Sequence, residues 1–136
     1  MRRLLAPLML AGLLLSSCKR PFAQVDDRRV WVEPTRAVQS LGGQRRRLEV
    51  PVSIAGGGGE SLSLVAELEC DRAKPEKALV SVTRLQRRDV LLGLDRRDPS
   101  LERSWAGGDM ALPPAWLRRL LADRCPGALP SRWSGA

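Results

Sequence analysis

Apolar and polar residues alternate along two stretches in the middle of the chain. Every second residue is apolar from Leu48 to Ile54, and the same period continues from Leu62 to Leu68. Strict alternation predicts β-strands with one buried face. Cys70 has the parity of the leucines before it, so we expect its thiol to face the core. Pro51 lacks an N–H, which predicts either an edge strand or a proline whose missing donor points outward.

Shorter apolar runs predict further strands, at residues 30–32, 78–86, 90–94 and 101–105. Residues 78–86 show no single parity, which a β-bulge or burial of both faces would explain. Turns are expected at residues 41–44 and 71–76, and a polar loop at residues 95–100.

Four consecutive glycines, residues 56–59, separate the two alternating stretches. A glycine-rich loop is typical of a phosphate cradle when Gly-Lys-Ser/Thr and a helix follow it. Neither follows here, so the glycines predict a flexible hairpin loop.

A helical pattern follows Pro113 and Pro114, since proline is tolerated in a first helical turn. One face of this helix is apolar and consists of Trp116, Leu117, Leu120, Leu121 and Cys125. The polar residues Arg118, Arg119 and Asp123 are expected to face away from the core. Pro126 and Gly127 end the helix, and residues 127–136 are predicted to be a flexible tail, the alternative being that Trp133 folds back onto the domain.

The first 18 residues have the features of a bacterial export signal. Arg2 and Arg3 precede an apolar run of 12 residues, Leu4 to Leu15, which is short for a membrane span. The run ends in Leu-Ser-Ser-Cys, which resembles a lipobox, in which the cysteine sulfur of Cys18 takes a diacylglyceryl group. The alternative is an ordinary secretory signal with an incidental cysteine.

The lipobox divides the chain into three parts. It predicts a lipoprotein signal peptide at residues 1–17, a lipidated Cys18 with a tether over residues 18–29, and a domain from residue 30. Several acyl chains, palmitate among them, make a stable membrane anchor. Lys19 rather than aspartate follows the cysteine, which favours the outer membrane of a Gram-negative cell over the inner one.

Two cysteines remain after lipidation, Cys70 and Cys125. An even pair in an exported protein predicts a disulfide. Cys70 lies on the core face of a strand and Cys125 on the apolar stripe of the helix, so the bond would hold the helix across the sheet. A metal pair or a catalytic thiol is the alternative, and neither has a histidine or a further cysteine beside it.

The amino-acid composition argues against several classes of catalytic and metal site. The 136 residues contain 23 Lys and Arg against 15 Asp and Glu, with no histidine and no tyrosine. Ser-His-Asp and Cys-His mechanisms need an imidazole, and most zinc sites use one. We therefore expect no catalytic residue, no metal and no cofactor, and the length allows one domain.

Arginines form the most conspicuous charged runs. Arg45, Arg46 and Arg47 are consecutive, Arg87 and Arg88 form a second run, and Arg96 and Arg97 form a third. They predict a patch for anionic partners such as lipopolysaccharide, glycosaminoglycan or phospholipid head groups. The alternative is a set of solvated strand ends. Nucleic acid is not expected, because export removes it and no aromatic residues interleave with the arginines.

The layout of residues 30–126 resembles the surface-adhesin protein E family of small bacterial envelope proteins. The resembling segments are Trp31-Val32-Glu33, Gly42-Gly43, the strand to Ile54, Leu68-Glu69-Cys70-Asp71, Val80-Ser81-Val82-Thr83 and the stretch from Trp116 to Cys125. The resemblance implies an antiparallel sheet of about six strands, with the C-terminal helix held on its concave face by a disulfide, in an exported non-enzymatic protein. The aromatics common on the family's strands are missing, since Phe22 is the only phenylalanine.

The expected fold class is therefore α+β, a single antiparallel sheet of about five to six strands with a C-terminal helix tied to one face. The expected function is that of an outer-membrane-anchored lipoprotein acting as a non-enzymatic, adhesin-like binding module for a host-matrix or anionic envelope ligand. The alternative is a periplasm-facing structural or assembly lipoprotein, a pilotin or an envelope-complex subunit, with an envelope protein as partner.

Overall fold

One antiparallel sheet and two helices make up the part of the chain that the computed structural model describes, residues 20–56, 60–89 and 93–134. The strands are β1 (Ala23–Val25), β2 (Arg28–Val32), β3 (Ala37–Gly42), β4 (Arg45–Gly56), β5 (Glu60–Asp71), β6 (Leu79–Asp89), β7 (Leu94–Arg97) and β8 (Arg103–Ala106). The helices are α1 (Ala115–Arg124) and α2 (Ser131–Ser134). Short 3₁₀ turns occupy Pro75–Lys77 and Pro99–Leu101.

Three long strands, β4, β5 and β6, form the centre of the sheet. Shorter strands flank them end to end, β2 and β3 along β4, and β7 and β8 along β6. β1 adds to β2, which gives eight strands in the described part of the chain. The antiparallel α+β architecture is as predicted, with more strands than the expected five to six.

The extra strands are short and exposed. β1 and β3 each have one partly buried residue and no buried one. Because their side chains are not buried, these strands form through backbone hydrogen bonds, β1 with β2 and β3 with β4. Alternating hydrophobicity arises only where one face is buried, so these two strands left no pattern in the sequence.

The hydrophobic core lies between α1 and one face of the sheet, which we call the inner face; the opposite side is the outer face. Val50, Ala66, Leu68 and Val80 of the sheet are fully buried there. The predicted stripe of α1 packs on them, with Trp116, Leu117, Leu120 and Leu121 buried. None of the helices in the described ranges is long and apolar enough to cross a membrane.

The predicted disulfide is confirmed. Cys70 at the end of β5 bonds to Cys125, directly after α1, across 55 positions of sequence. Both residues are 4% exposed. The bond therefore fixes the carboxyl end of α1 against the inner face.

A β-bulge in β6 explains the mixed parity of residues 78–86. Ser63 lies opposite Gln86 and Val65 opposite Thr83, so one residue of β5 faces two residues of β6. Arg84, within the bulge, has a positive φ of 50°. The extra residue shifts the phase of the strand and returns Leu85 to the core, where it is 3% exposed.

Pro51 does not mark an edge strand, because β4 pairs on both sides. Its carbonyl accepts the Glu33 N–H at 3.0 Å, at the point where the chain passes from β2 to β3. The missing N–H therefore falls in the break between these two strands. The Glu33 carbonyl, which Pro51 cannot satisfy, accepts Nη2 of Arg124 at 3.0 Å.

Both ends of the domain extend further than predicted. Residues 23–25 and 28–29, expected in the tether, lie in β1 and β2, and the Phe22 N–H donates to the Val30 carbonyl at 2.8 Å. The flexible tail expected at residues 127–136 contains α2, and Trp133 folds back into the core, where it is 2% exposed. A lone tryptophan gives no periodicity, so the sequence offered this packing only as the alternative to a flexible tail.

Two other loop predictions need adjustment. The polar loop expected at residues 95–100 begins as β7, whose register pairs Arg97 with Gln86 on the exposed end of β6. Residues 90–92 of the strand expected at 90–94 lie outside the described residues, as do glycines 57–59. β4 and β5, which flank those glycines, pair antiparallel from Arg45 opposite Asp71 to Ala55 opposite Ser61.

Removing the disulfide should cost about 2–5 kcal/mol of the free energy of unfolding, because the bond closes a long loop in the unfolded chain. The measurement is denaturant unfolding of the Cys70→Ser/Cys125→Ser double variant beside the oxidised wild type. Reduced wild type is the matched control and should unfold with the double variant. Coincident midpoints for the oxidised protein and the double variant would contradict the assigned role.

Candidate anion-binding site

The predicted arginine run at the start of β4 is divided between the two faces of the sheet. Arg46 lies opposite Ser40 of β3 and Cys70 of β5, on the inner face. Arg45 and Arg47, one position to either side, lie on the outer face, because successive side chains of a strand point to opposite faces. The three residues therefore cannot act as one patch.

Arg45 and Arg47, the two arginines of this run on the outer face, both bind Glu69. Nη2 of Arg45 donates to Glu69 Oε2 at 2.9 Å, and Nε of Arg47 donates to Oε1 at 3.1 Å. Glu69 is 7% exposed, so the two guanidinium groups compensate a buried carboxylate. Two of the three predicted arginines are therefore already paired with a carboxylate of the sheet.

The protonation of this cluster follows from the same contacts. Burial alone would raise the pKa of Glu69, but hydrogen bonds from Arg47 and Arg45 outweigh it, and its pKa is lowered. The Glu69 hydrogen bond raises the pKa of Arg47 in turn. Both shifts favour the charged forms of Glu69 and Arg47.

The second predicted pair is far from the first. Arg87 lies opposite Leu62 of β5, whereas Arg46 lies opposite Cys70, eight positions along the same strand. At about 3.4 Å per residue that separation is about 27 Å. Arg87 also contacts Glu60 at 3.3 Å and Asp98 at 3.1 Å, and Arg88 lies 3.8 Å from Asp95. These arginines are paired and do not join a common site.

Arg46 instead lines a cavity together with Arg72 and Arg124, which the sequence analysis did not select as site residues. This cavity of about 300 Å³ at the end of the sheet is lined by Gly43, Gln44, Arg46, Leu48, Cys70, Arg72, Arg124 and Cys125. We call it the arginine cavity. Its described lining contains three cationic side chains and no carboxylate.

The disulfide assembles the arginine cavity. Arg46 is the strand partner of Cys70, Arg72 follows Cys70 by two positions, and Arg124 directly precedes Cys125. Arg46 therefore comes from β4, Arg72 from the turn directly after β5 and Arg124 from the end of α1, and the disulfide joins β5 to the residue after α1. Proximity of arginines to the two cysteines in sequence was the signal that could have revealed the site, once the disulfide was predicted.

The three arginines differ in how firmly they are held. Arg124 donates from Nη1 to Thr35 Oγ1 at 2.9 Å and from Nη2 to the Glu33 carbonyl at 3.0 Å, and its Nε donates to Asp123. Arg46 and Arg72 are exposed and form no ion pair within the described ranges. The arginine cavity thus has one positioned guanidinium and two with uncommitted donors.

This arrangement suits an oxyanion. Guanidinium groups bind carboxylate, sulfate or phosphate through parallel N–H donors, and they stay charged at every physiological pH. The volume is at the small end of the range for ligand pockets. Over residues 20–56, 60–89 and 93–134, no group of three or more His, Cys, Asp or Glu side chains is placed to hold a metal ion.

The Glu69 cluster should make stability depend on pH. A lowered pKa in the folded state means that folding favours the charged carboxylate, so this contribution is present above the ordinary pKa and is lost as pH falls through the lowered one. Denaturant unfolding at a series of pH values below about 5 should show a steeper loss for the wild type than for Glu69→Gln. Parallel pH profiles for the two proteins would contradict this assignment.

Comparison with protein-family models, with curated proteins and with solved structures finds no match to this chain.

Proposed function

We propose that the chain is a lipid-anchored protein of a bacterial outer membrane that acts as a non-enzymatic binding module for anionic partners. The arginine cavity carries this proposal, because it gathers three guanidinium groups without a carboxylate in its described lining. The lipobox ending at Cys18 supports the anchor; it precedes the described residues. The resemblance to the surface-adhesin protein E family supports the same class of function.

The energetics of the arginine cavity favour a ligand. Like charges held close together repel, and in the described part of the chain only Arg124 of the three is ion-paired, with Asp123. A bound oxyanion would relieve the repulsion and satisfy the uncommitted donors of Arg46 and Arg72. The Arg36–Glu49 pair on the outer face shows the contrasting case, since its carboxylate lies 2.9 Å from the guanidinium.

The second candidate is a periplasm-facing structural or assembly lipoprotein with an envelope protein as partner. One observation favours it: β3 pairs only with β4 among the described strands, so one of its edges is open. An open strand edge is a common place for a partner segment to bind.

Charge reversal in the arginine cavity should weaken anion binding. Each charge-assisted contact contributes about 1.5–3 kcal/mol, so Arg46→Glu or Arg72→Glu should raise the Kd for inorganic phosphate about tenfold or more. Isothermal titration at low salt measures this, and added salt should reduce the difference. Arg96→Glu, on β7 at the opposite end of the sheet, changes the net charge equally and is the matched control.

Equal losses in all three variants would mean that only net charge matters, and the arginine cavity would then be wrong as the site. Unchanged phosphate affinity in Arg46→Glu and Arg72→Glu would contradict the proposal as well.

Lipidation is tested separately. Cys18→Ala should abolish incorporation of labelled palmitate and release the protein from the membrane fraction, because the acyl chains supply the anchor. The Cys70→Ser/Cys125→Ser variant should keep the label. Palmitate on Cys18→Ala would contradict lipidation at that residue.

Protease treatment of intact and lysed cells separates the adhesin-like binding module from the periplasm-facing lipoprotein, since only a surface-exposed domain is cut before lysis.

A further inference from the structure

The open edge of β3 differs from the other open edges of the described sheet. β3 has six residues, Ala-Val-Gln-Ser-Leu-Gly, with no charge and no proline. β1 has only three residues, β7 carries Asp95, Arg96 and Arg97, and β8 has four residues including Arg103. Proteins protect edge strands by keeping them short or charged. β3 has neither protection, its Val38 is 63% exposed, and its register shift falls at its end, between Ser40 and Gly42.

The alternation of the backbone determines which N–H and C=O groups of β3 face its open edge. The Pro51 carbonyl accepts from Glu33, so Pro51, and by alternation Glu49 and Arg47, direct their backbone groups toward β2 and β3. Their partners Ala37 and Gln39 therefore bond to β4. Val38 and Ser40 direct their N–H and C=O groups to the open side.

The same two residues connect this edge to the arginine cavity. Val38 lies opposite Leu48 and Ser40 opposite Arg46, so both side chains are on the inner face. Adjacent strands are about 4.8 Å apart, so a strand added to β3 would lie about 10 Å from β4. An acidic side chain opposite Ser40 and the Arg46 side chain can bridge that distance.

We propose that the partner is an extended, acidic segment of another protein, which pairs antiparallel with β3 as an additional strand and places a carboxylate in the arginine cavity. This proposal rests on the proposed function and names the partner for the same cavity. The segment has an apolar residue opposite Val38 and an acidic residue opposite Ser40, two positions apart. Backbone pairing supplies affinity, and the arginine cavity selects the acid.

A second copy of the chain fits this edge less well. β3 contains no acidic residue to enter the arginine cavity, and the chain carries a formal net charge of +8. Pairing two β3 strands would bring two such cavities together without a counter-charge.

The test uses a fluorescent nine-residue peptide in which threonine alternates with glutamate and valine. Its glutamates and valines share one face, which matches Ser40 and Val38. Fluorescence anisotropy at low salt should show saturable binding, and replacing the glutamates with glutamine should weaken it at least tenfold. Arg46→Glu should cause a similar loss, with Arg96→Glu as the charge control.

Strand pairing is tested by removing single N–H groups. Ser40→Pro should weaken peptide binding at least tenfold, whereas Ser40→Ala should bind as the wild type does. Two N-methylated peptides repeat the test on unmodified protein, so the outcome does not depend on a variant that folds. N-methylation of the glutamates and valines should abolish binding, because those N–H groups face β3, and N-methylation of the threonines should not.

The outcomes separate this proposal from the function on which it rests. If inorganic phosphate binds but the peptide does not, or if N-methylation has no effect, strand addition is wrong and the anion site stands. A concentration-dependent dimer that Ser40→Pro abolishes would assign the edge to a second copy and overturn the acidic partner. If neither phosphate nor peptide binds, both proposals are wrong.

Discussion

The disulfide between Cys70 and Cys125 is the constraint on which the rest of the structure depends. It joins the end of β5 to the end of α1, and so fixes the helix on a sheet whose inner face would otherwise be open to water. The same bond brings Arg124 of the helix to Arg46 of β4 and to Arg72, which follows β5. Stability and the candidate site therefore share one covalent link, and losing it should affect both.

Sequence patterns predicted the parts of the fold that bury side chains. The alternation around Val50 and Leu64, the stripe of α1 and the cysteine pair all have a buried face, and burial leaves periodicity in the sequence. β1, β3 and α2 were missed because backbone pairing or one large side chain holds them. Pro51 left an edge strand and an outward-pointing missing donor as alternatives, because the sequence of one strand cannot show that its neighbours β2 and β3 are interrupted opposite the proline.

Of the arginines that the sequence analysis selected, only Arg46 lines the candidate site. The runs of arginine predicted one anion-binding patch, yet strand alternation placed Arg46 apart from Arg45 and Arg47, and those two are paired with Glu69. Arg72 and Arg124 stand alone in the sequence and converge only through the disulfide. Adjacency in sequence was therefore a poor guide to which charges are available, because carboxylates on neighbouring strands decide that.

The most direct measurement is a titration with inorganic phosphate that follows the arginine Nε–Hε signals by NMR, on oxidised and on reduced protein. We expect saturable shifts of the Arg46, Arg72 and Arg124 signals in the oxidised protein and their loss after reduction, because the disulfide holds the three side chains around one cavity. Absence of saturable shifts at these residues, or equal shifts at Arg96, would contradict a phosphate-binding site built by this disulfide.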